Sequence, residues 1–323
     1  MKTVEVNLDL APEKRWDELR EYREATRELI NYYLDDFRKL SILYKVPLAV
    51  YSRRHIKEEY RLELKGMSKV MDIPYSDLLL INLYYDLLKL LLSPGQLIMG
   101  CSSFAIDQDI PVHARNMDWD SDGSMAEHTI KQRFMKDGDC LFESISWPGY
   151  NASVSGMATG RFSLTMNAVS SRKILALKTP VTYMIRDVLQ TANSWEDAKS
   201  KLENTPLFSD CLFMLVGTKA GELCVIERTP KSFQTRYAED QIIMVTNNYR
   251  TSLDEKQAVS CGILSDTSCS RYERMKELLK KSTPTERDDF MAILNDPSVK
   301  MDITVQQMVM CAAKGDCYSD VVR

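Results

Sequence analysis

An α+β fold, helices first and sheet layers after, is what this 323-residue sequence predicts. Three observations carry it. Up to about residue 98, apolar residues recur at the three- and four-residue intervals of one buried helix face. From Cys101 onward they gather in short runs parted by Gly, Asp, Asn and Lys turns, as strands do. Helical stretches near 180–203 and 268–295 then interrupt that second part, which groups antiparallel strands under covering helices.

The elements follow in order. Pro12 suits a first helical turn, and Trp16, Leu19, Tyr22, Leu29, Ile30, Tyr33, Leu34, Phe37 and Leu40 line one face beyond it. Further helices are expected around 53–72 and from Ser76, as N-cap, to about Leu92. The last of these, "SDLLLINLYYDLLKLLLSPG", is apolar almost all round. Asp86 and Lys89 interrupt it and it is short for a membrane span, so it reads as a buried helix. "CSSFAI", "PVHARNM", "IKQRFM", "CLFESISW", "RFSLTMN", "CLFMLVGT", "LCVIERT" and "QIIMVTN" read as strands, with "TKAG" as a hairpin turn. Pro180 opens the helix "VTYMIRDVLQTA".

Composition narrows the function classes. Hydrophobic residues at 44% and charged residues at 27% describe an ordinary globular protein. A net charge of -4 gives no electrostatic ground for nucleic acid. Eight cysteines without a Cys-x-x-Cys pair, and three histidines, offer no zinc pattern, so no metal is expected. They read as buried thiols in a reducing compartment. The N-terminal stretch is charged throughout, unlike a secretory signal, and the cytoplasm is the expected location. Asn151-Ala152-Ser153 matches a glycosylation triplet that has meaning only with secretion. Asp118, Asp120, Asp122 and Gly123 are spaced as in a calcium loop. Thr129 stands where that loop needs a bidentate Glu, and a strand precedes it, so an acidic loop is the better reading.

Cys101 is the residue with chemistry. A thiol attacks well only as thiolate, and so needs a base or a positive neighbour. His55, His113 and His128 are the side-chain candidates. A cut between Gly100 and Cys101 would supply another base, the cysteine's own α-amino group, with an ordinary pKa of about 7.7–8.0. Gly100 leaves the preceding carbonyl open to attack. By itself, Gly-Cys before an apolar run is equally a turn glycine followed by a buried strand cysteine.

The surrounding block removes the ambiguity. "MGCSSFAIDQDIPVHARNMDWD" closely resembles the start of the catalytic chain in the N-terminal-nucleophile amidases of the choloylglycine hydrolase, acid ceramidase and N-acylethanolamine acid amidase group. That resemblance implies a four-layer αββα hydrolase domain over 101–323. It implies a helical propeptide over 1–100, kept as a small subunit after autocleavage at Gly100–Cys101. It makes Cys101 the nucleophile, sets Arg115 beside the thiol and gives Asp118 the new α-amino group to hold. "GRFSLTMN" resembles the family strand ending at the site, which implies Asn167. "VTNNYR" implies Asn247, in preference to Asn248, as an oxyanion-hole side chain, and "TSCSRYER" implies Arg271. "VNLDLAPEKRW" and "ELKGMSKVMDIPYSDLLLINLYYDLL" resemble the propeptide of the ceramidase branch, whereas Ala168 stands where that branch carries an acidic residue.

What the resemblance implies is a cofactor-free, self-processing amidase that opens N-acyl amides, lipid amides such as N-acylethanolamines first, through a thioester at Cys101. Its partners would be the substrate, its own propeptide and a peripheral membrane surface. An acyltransferase, a hydrolase of bile salts or penicillin V, and a non-catalytic lipid-binding homologue are the other readings of the same residues.

Overall fold

The computed structural model of the protein describes residues 1–35, 41–91, 99–121, 123–169, 175–253 and 263–322. Leu92, Phe37, Leu40, Asp122 and Cys261, which enter the sequence reading, lie outside them. The chain begins with a strand, β1 (Lys2–Asn7), followed by two 3-10 turns at Pro12–Lys14 and Asp17–Tyr22. Five helices follow: α1 (Arg23–Asp35), α2 (Ser41–His55), α3 (Glu58–Met71), α4 (Tyr75–Asn82) and α5 (Tyr84–Leu91).

Sheet-forming chain begins at β2 (Met99–Ile106) and β3 (Val112–Trp119). After the short α6 (Ser124–Glu127) come β4 (Ile130–Lys136), β5 (Asp139–Ser146), β6 (Ser155–Ala158) and β7 (Phe162–Asn167). Helices α7 (Val181–Thr191) and α8 (Trp195–Asn204) lead to β8 (Cys211–Val216), β9 (Leu223–Arg228), β10 (Phe233–Tyr237) and β11 (Ile242–Val245). Two more helices, α9 (Ile263–Lys281) and α10 (Arg287–Leu294), precede β12 (Thr304–Cys311) and β13 (Asp316–Val321).

The strands form two sheets, ordered β1-β4-β5-β6-β7-β8-β9-β10 and β11-β2-β3-β12-β13. Alternation along each strand builds the layers. Between the sheets, Ala105, Ile243 and Val245 meet Leu212, Met214 and Val225. Met308 and Met310 meet Ile145 and Met157 there too. The intervening residues point outward: Phe104 and Val309 pack under Met275, Leu279 and Phe290 of α9 and α10. Phe213, Leu215 and Leu164 join the core that contains Ile185, Leu189 and Leu202 of α7 and α8. The result is helix, sheet, sheet, helix, the four-layer α+β arrangement expected.

The reading of residues 1–98 as wholly helical needs correction. Val4 and Val6 alternate with exposed neighbours, and β1 pairs parallel with β4 as the edge of the larger sheet. The single helix expected from Ser76 is two helices, and Pro74, not Ser76, holds the N-cap position. Leu83 parts α4 from α5 with φ -101° and ψ 5°. Just before it, Asn82 Nδ2 donates back to the Leu78 carbonyl and its Oδ1 accepts from the Asn151 and Ala152 amides. Such side-chain bonds compete with the helical ladder. Leu78–Ile81 and Leu83–Leu88 are buried, as the apolar pattern predicts. Asn151 is buried as well, its Nδ2 donating to Tyr60 O and Glu63, so the glycosylation triplet is sealed in the folded chain. Among the described residues no helix is long and apolar enough to cross a membrane.

Candidate active site

The hairpin of β2 and β3 sets the register: Gly100 faces Asp118, Cys101 faces Met117 and Ser103 faces Arg115. Arg115 and Asp118 are three residues apart, so the pleat turns them to opposite faces of the strand. On one face, Arg115 Nη2 lies 3.2 Å from Cys101 Sγ and 2.7 Å from the Met166 carbonyl. Its Nη1 donates to the Val154 carbonyl at 2.9 Å and to Ser155 Oγ. A guanidinium so held is positive surroundings for a thiolate.

On the other face, Asp118 is buried opposite Gly100. Its Oδ1 accepts from Thr304 Oγ1 at 2.6 Å. Its Oδ2 is 3.8 Å from Arg271 Nη1 and has no hydrogen-bond donor among the described residues. Burial lifts the carboxyl above the ordinary aspartate range, and Arg271 and the Thr304 hydroxyl pull it back. A Cβ at position 100 would sit 2.9 Å from Met301 Sδ and 3.0 Å from Asp118 Oδ2, so glycine is what fits between them. Thiol and carboxylate thus flank one peptide bond, Gly100–Cys101, which falls inside β2 and not between separate folding units.

Two further residues grip Cys101. Asn247, two residues past the end of β11, accepts the Cys101 N–H at 3.1 Å with Oδ1 and donates Nδ2 to the Ala168 carbonyl at 2.7 Å. Arg271, from α9, donates to the Cys101 carbonyl, to Ser102 Oγ and to Asn247 Oδ1, each at 2.7 Å. Asn167 stands one step back. It accepts from Ser103 Oγ at 3.2 Å and donates to the Thr246 carbonyl at 2.9 Å, tying β7 to β2 and to the Asn247 loop. Arg115, Asn247 and Arg271 thus contact Cys101 directly, Asp118 lies against the neighbouring Gly100, and Asn167 braces the strand and loop around them. Asn248 is not among the partners of Cys101; its buried Oδ1 has no hydrogen-bond partner.

None of the three histidines reaches Cys101 among the described contacts. His55 lies at the end of α2, His128 pairs with Glu28 at 2.7 Å, and His113 sits between Ser163 Oγ and Thr165 Oγ1. Sequence reasoning missed Ser268 and Thr304. Ser268 Oγ accepts the Asn247 N–H at 2.9 Å and donates to Thr246 Oγ1. It precedes Arg271 by one helical interval, so the i,i+3 spacing within "SCSR" was the available signal. Thr304 carried no such signal, because its strand was not recognised.

Residues 107–314 match the family model described as acyl-coenzyme A:6-aminopenicillanic acid acyl-transferase. Acid ceramidase of Heterocephalus glaber is 27% identical over 73% of this chain and 65% of its own length. The N-acylethanolamine-hydrolyzing acid amidase of Caenorhabditis elegans is 23% identical over 95% of this chain and 88% of that one. The chain spans less than two thirds of the first acid ceramidases it matches, 65% and 62% of their lengths. The solved structure of the Caenorhabditis elegans N-acylethanolamine-hydrolyzing acid amidase ortholog superposes with a TM-score of 0.59 at 21% identity. It covers 69% of this chain and 100% of that one, and so shares its fold.

Proposed function

The chain belongs to the acyl-coenzyme A:6-aminopenicillanic acid acyl-transferase family, and from that premise we propose that it is a self-processing cysteine amidase acting on N-acyl lipid amides. One observation carries the proposal. Among the described residues, Asp118 Oδ2 is a buried carboxylate oxygen without a hydrogen-bond donor, 3.8 Å from Arg271 Nη1 and held against the Gly100–Cys101 bond. A buried acceptor without a hydrogen-bond donor is costly. The ammonium released by cutting that bond is the partner it lacks.

In the first step the Cys101 sulfur bonds to the Gly100 carbonyl carbon, the carbon–nitrogen bond breaks, and the thiol proton passes to the Cys101 nitrogen. Water opens the resulting thioester, leaving a Gly100 carboxylate and a free Cys101 thiol and amine. In turnover the amine takes the thiol proton as sulfur attacks the substrate carbonyl, then gives it to the leaving nitrogen. A second water releases the carboxylic acid. Asn247 Nδ2 spends one N–H on Ala168 and has a second for the developing oxyanion, with a backbone N–H near Asn167 beside it. Arg115 steadies the thiolate and Asp118 the amine.

The lipid assignment rests on the names of the relatives and on a cavity. A chamber of about 620 Å³ opens between α2, α5 and the 175–177 segment, lined by Leu48, Tyr51, Leu83, Leu87, Leu90 and Phe208. Lys89 of α5 donates to the Val169 carbonyl, two residues from Asn167. At the chamber mouth Val50 and Leu177 are 46% and 70% exposed beside exposed Arg54, a surface suited to a membrane. An acyl chain is the ligand such walls suit.

Intact mass of incubated protein tests the first half: wild type yields chains starting at Met1 and Cys101, and Cys101→Ala stays whole. Cleavage of the Ala variant at the same bond would rule out the thiol. A panel of acylethanolamines, ceramides, conjugated bile salts and penicillin V tests the second. Preference for either of the last two would overturn the lipid assignment, and an amine acceptor outcompeting water would make the enzyme a transferase.

A further inference from the structure

Strand β12 carries a register break: Thr304 pairs with Asp118 but Gln306 with Met117, so Val305 is an extra residue. A bulge of this kind re-aims a side chain, and bulges gather beside active sites. Here it turns Thr304 onto the carboxylate. Thr304 Oγ1 accepts the Met301 N–H at 3.0 Å, so its own hydrogen points to the Asp118 Oδ1, 2.6 Å away. On the far side of Asp118 stands Gly100. The carboxylate is thus pinned by one oxygen, while the other has no hydrogen-bond donor among the described residues and faces the Gly100–Cys101 bond.

We propose that Thr304 is a positioning residue of the self-processing site, its hydroxyl fixing Asp118 through Oδ1 so that Oδ2 is presented to the Gly100–Cys101 bond and to the amine formed there. This deepens the amidase reading and rests on it. Without the hydroxyl, the buried carboxylate loses the hydrogen-bond donor that holds Oδ1. It then either turns toward Arg271 or takes a proton, and in both cases stops serving the amine.

The test uses full-length Thr304→Val, which keeps the shape, and Thr304→Ser, which keeps the hydroxyl. Fragment formation and amide turnover should slow at least about tenfold in the valine variant and return to near wild type with serine. A hydrogen bond to a charged acid lowers its pKa. In uncut Cys101→Ala protein, carbon NMR of the Asp118 carboxyl should therefore show titration moving up with Thr304→Val and staying put with Thr304→Ser. Equal titration in all three, or serine as damaging as valine, overturns the inference and leaves Thr304 a packing residue. Wild-type protein that neither cuts itself nor hydrolyses any amide sinks the amidase reading, and the titration still judges Thr304's hold on Asp118.

Discussion

His113 is fully buried between β3 and β7, with Ser163 Oγ 3.0 Å from one ring nitrogen and Thr165 Oγ1 3.1 Å from the other. Burial first, and Arg115 second, push its pKa down from 6.5 to about 3. A lowered histidine stabilises the fold fully above its unfolded value and loses that contribution as pH falls toward 3. Between pH 6.5 and 3 this one group should make the unfolding free energy fall by up to about 1.4 kcal/mol per pH unit. Urea titrations at several pH values should show a slope shallower by one proton in His113→Gln; an unchanged slope would mean the ring is not held neutral. Arg115 makes a second residue-scale case. Its two nitrogens serve the thiol, two carbonyls and a hydroxyl, a fork that an ammonium cannot reproduce. Arg115→Lys should keep the fold and lose about 1.5–3 kcal/mol of transition-state stabilisation, read as kcat/KM.

At the scale of elements, α3 is fixed by what it cannot accommodate. A Cβ on Gly66 would lie 2.2 Å from the Glu13 carbonyl oxygen in the first 3-10 turn. Glycine to alanine inside a helix ordinarily stabilises by up to about 1 kcal/mol. Gly66→Ala should instead destabilise by roughly 1–3 kcal/mol, because backbone must move, and a lower melting temperature would show it. Legibility also divides by element. The eight strands read from the sequence had clear apolar runs between turn residues, and all are present. β12 escaped because its polar Gln306 and Gln307 are buried, the bulge breaks its alternation, and its acceptors lie in distant chain. Gln306 reaches Thr129 and Gln307 reaches Asn116 and Asn295. β1 escaped because six residues ahead of a long helical tract show their alternation only beside β4. Cys101, Arg115 and Asp118 were singled out through one local block, and Asn167, Asn247 and Arg271 through separate segments downstream; the structure brings them into one neighbourhood. Thr304 and Ser268 were not singled out, since nothing in the chain marks a hydroxyl that touches a site residue only after folding.

For the whole molecule, the question is what a cut at Gly100 leaves behind. Among the contacts that bind residues 1–91 to the remainder are the β1–β4 ladder, the buried Glu63–Arg186 pair, and Lys89–Asp210 at 2.7 Å beside Asp86, which accepts the Val181 amide. We expect the two chains to elute together in size-exclusion chromatography and to part only in denaturant; separate folded species would refute a retained subunit. Burial holds the Asp86 carboxyl up at about 7, so it favours the folded pair below pH 4 and that help fades as pH climbs toward 7. The first strand has one more consequence. Lys2 pairs with Ile130, far along the sequence, and while the chain is whole that pairing is a loop closure within one molecule. Once the link is cut the same pairing is a bimolecular encounter. Denatured Cys101→Ala protein should then refold at a rate independent of dilution, whereas denatured processed protein should recover more slowly the more it is diluted. Under the proposed self-processing, the enzyme would be easy to make once and hard to remake, because the bond that closes the loop would be gone.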